Sequence, residues 1–205
     1  MTRSRGFTLW FTGLSGAGKT TIAELVAGEL ERRGLLVDRL DGDVVRTHLS
    51  HGLGFSKEDR DANIERIGWV ASRLTRAGAA VLVSAISPYE AARRHARTLV
   101  EEHGAFVEVY VATPVEECVR RDVKGLYARA HVGEIPEFTG VSDPYEEPER
   151  PELRIDTTEH EPEDSARLVL ATLEQLGLLD EDRRGLDGGE RGAEVPALPA
   201  VERET

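Results

Sequence analysis

Gly13 to Thr20 reads G-L-S-G-A-G-K-T, directly behind the apolar run Phe7 to Phe11. In the pattern G-x-x-x-x-G-K-[ST], successive backbone N–H groups wrap a polyphosphate, a lysine reaches its outer phosphates and a hydroxyl meets Mg²⁺. Glycines suit such a cradle because it needs backbone angles that a Cβ obstructs. Ile22, Leu25, Val26 and Leu30 follow at helical spacing, so a helix N-terminus faces the anion. The stretch specifies a nucleotide-phosphate site made by Gly13, Leu14, Ser15, Gly16, Ala17, Gly18, Lys19, Thr20 and Thr21. It does not specify the reaction.

Further groups with chemical capacity follow in order. Asp41-Gly42-Asp43 closes an apolar run, with Arg46 one helical turn on. At the carboxyl end of a strand, one carboxylate can accept a proton from an attacking hydroxyl and either can orient Mg²⁺ through water. Read alone, D-G-D is also an ordinary acidic turn. Arg60, Asn63 and Arg66, spaced by three, line a helical face with donors suited to an anion, and Phe55 precedes them. The bland alternative is a solvated face whose arginines pair with Asp59, Asp61 and Glu65. Ser87 is either a phosphate acceptor or the cap of a helix over Tyr89 to Glu102. Lys124, with Arg120 and Arg121, either swings onto transferring phosphates as a lid closes or forms a basic last turn favouring the helix dipole. Phe138 either stacks on a base or plugs its loop onto the core.

The elements that must carry these groups are legible. Strand-like runs at Phe7 to Thr12, Val37 to Asp41, Ala79 to Ala85, Phe106 to Val111 and Leu153 to Asp156 alternate with helical patterns, as a parallel sheet with crossover helices requires. Ser56 with Asp59, Ser87 with Glu90 and Thr113 with Glu116 have capping-box spacing. Ile64, Ile67, Ala71 and Leu74 form one face of a middle helix ending at Gly78, and a last amphipathic helix runs through Ala166, Val169, Leu170, Leu173 and Leu176. From His131 the pattern breaks, with Pro136, Pro144, Pro148 and Pro151 punctuating a polar stretch, so residues 124–151 read as a lid or binding loop. Residues 1–179 form one domain, and 180–205 read as a disordered acidic tail containing Gly and Pro.

Composition narrows the classes. A formal net charge of -12 over 205 residues argues against coating nucleic acid or an anionic membrane. Cys118 is the only cysteine, and the six histidines do not cluster, so neither a disulfide nor a zinc site is expected. No apolar stretch reaches the length of a membrane span, and the start lacks the core of a signal peptide; the expectation is a soluble, cytoplasmic protein.

Together the segments resemble the adenylylsulfate kinase family: W-F-T-G-L-S-G-A-G-K-T-T (Trp10 to Thr21), L-D-G-D-x-V-R (Leu40 to Arg46), G-L-G-F-S-x-E-D-R-x-x-N-I-x-R-I-G (Gly52 to Gly68), I-S-P-Y (Ile86 to Tyr89), R-D-V-K-G-L-Y (Arg121 to Tyr127), G-E-I-x-x-F-T-G (Gly133 to Gly140) and D-P-Y-E (Asp143 to Glu146). The resemblance implies an α/β P-loop kinase in three layers, with a central, mostly parallel five-stranded sheet, helices on both faces and a mobile lid. It implies transfer of the ATP γ-phosphate to the 3'-hydroxyl of adenosine 5'-phosphosulfate. Gly13 to Thr20 would hold ATP, Thr20 would contact Mg²⁺, and Asp41 would be the base or metal orienter with Asp43 alongside. Arg46, Arg60 and Asn63 would bind the phosphosulfate, Phe55 and Phe138 would sandwich its adenine, Ile86 and Ser87 would line the site, and Lys124 would close over the phosphates. The family describes the serine matched by Ser87 as a phosphorylated intermediate, although direct in-line transfer is the simpler hypothesis. A homodimer is implied, with ATP sulfurylase as pathway neighbour. His131, Ser142 and Glu147 depart from the family pattern within the lid and bear on turnover or substrate inhibition; Ala85 departs in packing only. A kinase of gluconate, shikimate or an antibiotic would leave Phe55, Arg60, Asn63 and Phe138 unexplained together. A nucleotide-dependent switch would leave the D-G-D pair without a purpose.

Overall fold

The computed structural model describes residues 6–179, so the tail expected over 180–205 lies outside the described residues. Five strands, β1 (Phe7–Thr12), β2 (Val37–Asp41), β3 (Ala80–Ser84), β4 (Ala105–Val111) and β5 (Leu153–Ile155), form one sheet in the order β2-β3-β1-β4-β5. Every pairing is parallel, so all five carboxyl ends meet at one rim. The sheet is wholly rather than mostly parallel.

β1 is central, and its six residues are all buried. Phe7, Leu9 and Phe11 face a core shared with α1 (Lys19–Arg32) and α7 (Pro162–Gln175). Trp10 faces a second core, shared with α3 (Lys57–Ala77) and α4 (Glu90–Glu101). Side chains of a strand alternate between faces, so a strand covered on both sides reads as continuously apolar. Of its two polar residues on the α3 side, Thr8 is satisfied by the Thr75 hydroxyl at 2.8 Å and Thr12 by the Ile86 carbonyl at 2.7 Å. Each fully buried large aliphatic side chain contributes about 1.5–3 kcal/mol, so the two cores hold the sheet rigid under its functional rim. Gly68 lets α3 lie close on α4, since a Cβ there would stand 2.8 Å from the Ala96 Cβ.

The remaining helices are short: α2 (Gly42–His48), α5 (Val115–Arg121) and α6 (Leu126–His131). The last ends at His131, where the break in the sequence pattern was expected to begin. Beyond it, residues 132–151 hold no regular element apart from a bridge between Thr139 and Asp143. Among the described residues no helix is long and apolar enough to cross a membrane.

Of the three capping boxes, only the first forms in part. Ser56 Oγ accepts from the Asp59 amide, while the Asp59 carboxylate turns to the Gly54 amide at 2.8 Å. The N-caps of α4 and α5 are Tyr89 and Pro114, with no side-chain bond. Ser87 stands two residues and Thr113 one residue before those caps, and both hydroxyls go to remote partners instead.

Candidate active site

The turn after β1 is bent by need. Gly13 has φ +142°, and a Cβ there would lie 2.4 Å from the Val111 carbonyl. The loop enters α1 through Gly18, the left-handed residue before Lys19. Its floor is held from below by hydroxyls, Thr113 Oγ1 donating to the Ala17 carbonyl at 2.9 Å and Thr157 Oγ1 to the same oxygen at 3.2 Å. Tyr127 of α6 donates to the Ser15 carbonyl at 3.0 Å, so the first helix of the expected lid touches the phosphate loop directly.

Lys19 is 9% exposed and curls back, its Nζ donating to the carbonyls of Gly13 at 3.0 Å and Leu14 at 2.7 Å. Burial lowers its pKa to about 8. Thr20 Oγ1 donates to Asp41 Oδ2 at 3.0 Å, while Asp41 Oδ1 caps α2 by accepting from the Asp43 amide at 2.9 Å. The D-G-D turn is therefore both a helix cap and a partner of the loop's hydroxyl. Hydroxyl and carboxylate oxygens at one point form the donor set a hard cation such as Mg²⁺ prefers.

Asp43 pairs with Lys124 of the lid. That contact raises the Lys124 pKa, and the Asp43 charge also acts on Lys19 and on Arg46. One carboxylate is thus within electrostatic reach of the phosphate-loop cation, the lid cation and the first acceptor-side cation. The structure brings together the predicted group of Lys19, Arg46, Arg60 and Lys124, with Asp41 and Asp43 among them.

On the acceptor side, Arg46 donates to the Gly54 carbonyl at 2.9 Å and lies over the Phe55 ring, its guanidinium carbon 4.7 Å from the centroid. Burial, with Arg60 nearby, lowers its pKa. Phe55 is 53% exposed, which is unusual for a phenyl ring held by two arginines. Arg60 is nearly enclosed. Its Nε donates to the Phe55 carbonyl at 2.7 Å, its Nη1 to Thr139 Oγ1 at 2.9 Å, and its Nη2 to the Glu137 carbonyl. Three of its five donors are so used, and Arg60 is a clamp between α3 and the lid as well as a candidate anion ligand. Asn63, one turn along, is buried, and its Oδ1 has no partner. Arg66, the third donor of the expected row, turns away to the Leu49 carbonyl at 2.8 Å. The ion pairs expected of a merely solvated face do not form: Asp61 pairs with Lys57, and Asp59 with a backbone amide.

Two expectations change. Phe138 is 7% exposed and meets Tyr127 edge-on at 5.0 Å between centroids, so here it plugs the lid onto the core. Ser87 does not cap a helix. It is 1% exposed with φ +42°, and its Oγ accepts from Trp10 Nε1 at 3.0 Å and donates to Thr12 Oγ1 at 3.0 Å. Of the cations before the lid, Arg120 and Arg121 both bind Glu117, holding its pKa at about 2. Arg121 also reaches the Thr157 hydroxyl at 2.8 Å.

Sequence reasoning missed several groups. A cleft of about 400 Å³ beside the start of α1 is lined by Gly18, Thr21, Arg121, Thr157 and His160 among others. Tyr145 meets Thr12 Oγ1 at 2.8 Å, and Tyr89 donates to both Asp143 oxygens, at 3.0 and 2.8 Å. Their motifs, I-S-P-Y and D-P-Y-E, were visible; that they bind each other was not.

Comparisons agree with this geometry. The family model for adenylylsulphate kinase matches residues 5–156. An adenylyl-sulfate kinase of Picosynechococcus sp. is 55% identical over 175 residues, covering 85% of this chain and 97% of the relative. Among solved structures, the Mycobacterium tuberculosis APS kinase CysC in complex with AMPPNP and APS has a TM-score of 0.80 at 44% identity, covering 83% of this chain and 98% of that one. A hexameric APS kinase from Thiobacillus denitrificans follows with a TM-score of 0.69 at 41% identity; the match covers 87% of this chain and 30% of that one.

Proposed function

This chain belongs to the adenylylsulphate kinase family, and from that premise we propose that it transfers the γ-phosphate of ATP to the 3'-hydroxyl of adenosine 5'-phosphosulfate, giving 3'-phosphoadenosine 5'-phosphosulfate and ADP. The observation that carries the reading is the position of the D-G-D turn, whose Asp41 accepts from Thr20 of the phosphate loop while Asp43 pairs with Lys124 and Arg46 follows on the same helix. Two nucleotides bound on these two sides meet end to end at that turn.

On this reading Gly13 to Thr20 wrap the ATP phosphates, with Lys19 released from the Gly13 and Leu14 carbonyls onto the outer phosphates. The cleft beside Arg121 and Thr157 takes the nucleoside end of ATP. Thr20 and Asp41 would hold Mg²⁺, which would supply neutralisation of the phosphate charge. Asp43 accepts the proton of the 3'-hydroxyl. Arg46, Asn63 and the two uncommitted donors of Arg60 hold the phosphosulfate, and Lys124 crosses to the transferring group as the lid closes. The adenine lies on Phe55; its sandwich with Phe138 requires that ring to part from Tyr127. Phosphoryl transfer rests on alignment and charge neutralisation, so a buried Ser87 with both hydroxyl partners filled supports direct in-line transfer over a covalent relay. The same reading makes the enzyme a cytoplasmic homodimer with ATP sulfurylase as the neighbouring activity, and sedimentation at the monomer mass would count against the dimer.

Incubation with Mg-ATP and, separately, adenosine 5'-phosphosulfate, gluconate or shikimate tests the assignment. ADP formation is expected with the phosphosulfate alone. Turnover of another acceptor would move the enzyme to a different small-molecule kinase, and acceptor-independent ADP release would make it a nucleotide-driven switch.

A further inference from the structure

Among the described residues, the two non-glycine residues in the left-handed region are Ser87 and Glu137, at φ +42° and +52°. A side chain makes that conformation unfavourable unless neighbours enforce it. In both cases the enforcing group is the same: a buried arginine donates to the carbonyl of the strained residue. Arg60 holds Glu137, and Arg93 holds Ser87 with Nη1 at 2.7 Å from its oxygen. Arg60 is already part of the acceptor site. Arg93 is not.

Arg93 of α4 is 2% exposed. Its Nε donates to Glu108 Oε1 at 2.9 Å, and its Nη2 to Glu90 Oε2 at 2.6 Å and to the Glu146 carbonyl at 2.8 Å. One rigid fork therefore ties the Ser87 turn to the D-P-Y-E segment, whose Glu146 amide in turn donates to the Pro88 carbonyl at 2.8 Å. From that pair of anchors the order passes inward. Ser87 Oγ sits between Trp10 and Thr12, and Thr12 Oγ1 binds the Ile86 carbonyl at 2.7 Å. Ile86 borders the first residue of the phosphate loop, its carbonyl 3.5 Å from the Gly13 amide.

Burying a guanidinium is a poor way to gain stability alone, since desolvation offsets the attraction of the partner charge. What the fork supplies is fixed direction toward two backbone carbonyls. Arg97, one turn further along α4, is the counterexample: it binds Glu152 at 2.8 and 2.9 Å, with weaker contacts to Glu101, the Phe106 carbonyl and, at 3.5 Å, the Glu108 it shares with Arg93, none of them in the acceptor motifs.

We propose that Arg93 is a positioning residue for the kinase reaction, fixing the Ile86–Ser87 wall against which the acceptor nucleotide rests while leaving ATP binding to the phosphate loop. The inference rests on the acceptor reading given above. The test compares the full chain with Arg93→Lys, with Arg93→Gln combined with Glu108→Gln so that no buried charge is left alone, and with Arg97→Lys. Three quantities are read: KM for each substrate, the Trp10 indole N–H resonance assigned by difference in Trp69→Phe, and the melting temperature.

Displacement on the order of 1 Å costs up to about 100-fold in rate, so Arg93→Lys is expected to raise the acceptor KM about tenfold, with the ATP KM within about twofold. It is also expected to move the Trp10 resonance, because Trp10 Nε1 donates to Ser87 Oγ. Arg97→Lys is expected to lower the melting temperature and to move neither. An unchanged acceptor KM in Arg93→Lys, or equal rises for both substrates, would overturn the proposal; if that variant does not fold, the neutral pair decides by the same criteria. Should the parent chain fail to phosphorylate adenosine 5'-phosphosulfate, the functional reading fails by itself. The resonance then decides the positioning role, a shift in Arg93→Lys but not Arg97→Lys supporting it and no shift overturning it.

Discussion

The two sides of the cleft are built on opposite plans. The proposed ATP side is a single run, Gly13 to Thr21, in which one strand-to-helix turn sets every position. The proposed acceptor side gathers Arg46 from α2, Phe55 from a loop, Arg60 and Asn63 from α3, Ser87 from the turn after β3 and Phe138 from the segment after α6. These pieces are far apart in sequence and are held by buried side chains, chiefly Arg60 and Arg93. A contiguous cradle can be disturbed by one atom but reports its own presence; a gathered wall tolerates local change and fails when a tie is cut.

Lys19→Ala should give the largest effect and test the first plan. Loss of a cation on the transferring phosphate is expected to lower kcat on the order of 10³-fold, with no loss of melting temperature, since the lysine's charged form is disfavoured by burial. Unfolding of that variant would show the loop to be held by its lysine rather than by its glycines. Asn63→Leu comes next and isolates the second plan. A buried carbonyl without a partner costs the fold about 1–3 kcal/mol, so stability should hold or rise while the acceptor KM increases about 10–100-fold. Parallel loss of stability and binding would mean that Asn63 serves the fold and not the ligand.

Ser87→Ala should slow single-turnover transfer by no more than about tenfold, while costing about 1–3 kcal/mol in stability because Trp10 and Thr12 lose their shared partner. Complete loss of transfer in a folded variant would restore the phosphoserine relay. The smallest effect expected is that of pH. The folded Lys19 pKa of about 8 lies below its free value of 10.5, so kcat/KM for ATP should decline a few-fold as pH rises through about 8, with the acceptor profile flat there. Stability should move the other way between those values, because the unfolded chain binds a proton that the folded one has released. Equal decline for both substrates would break the division between the two sides.

The same division explains what the sequence disclosed. All five strands were readable to within a residue, the inner three, β1, β3 and β4, because burial on both faces leaves continuous apolar runs. The phosphate loop was readable because its chemistry is local. Ser87 and Thr113 were misread as caps because spacing reports neighbours three residues away, whereas their partners stand 75 to 96 residues off. Phe138 looked like a free ring among prolines, and only the placement of Tyr127 turns it inward. Arg93 is one of three arginines in R-R-H-A-R; nothing in that string separates it from the exposed Arg94 beside it.

Lys19 rests on two carbonyl oxygens of its own loop before any phosphate reaches it. Nucleotide arrival is consequently an exchange of oxygens around an already dehydrated cation, with the solvent-stripping cost met during folding. Analogues that present their outer phosphate poorly will lose to the loop's own backbone, which acts as a built-in competitor at the very atom they must win.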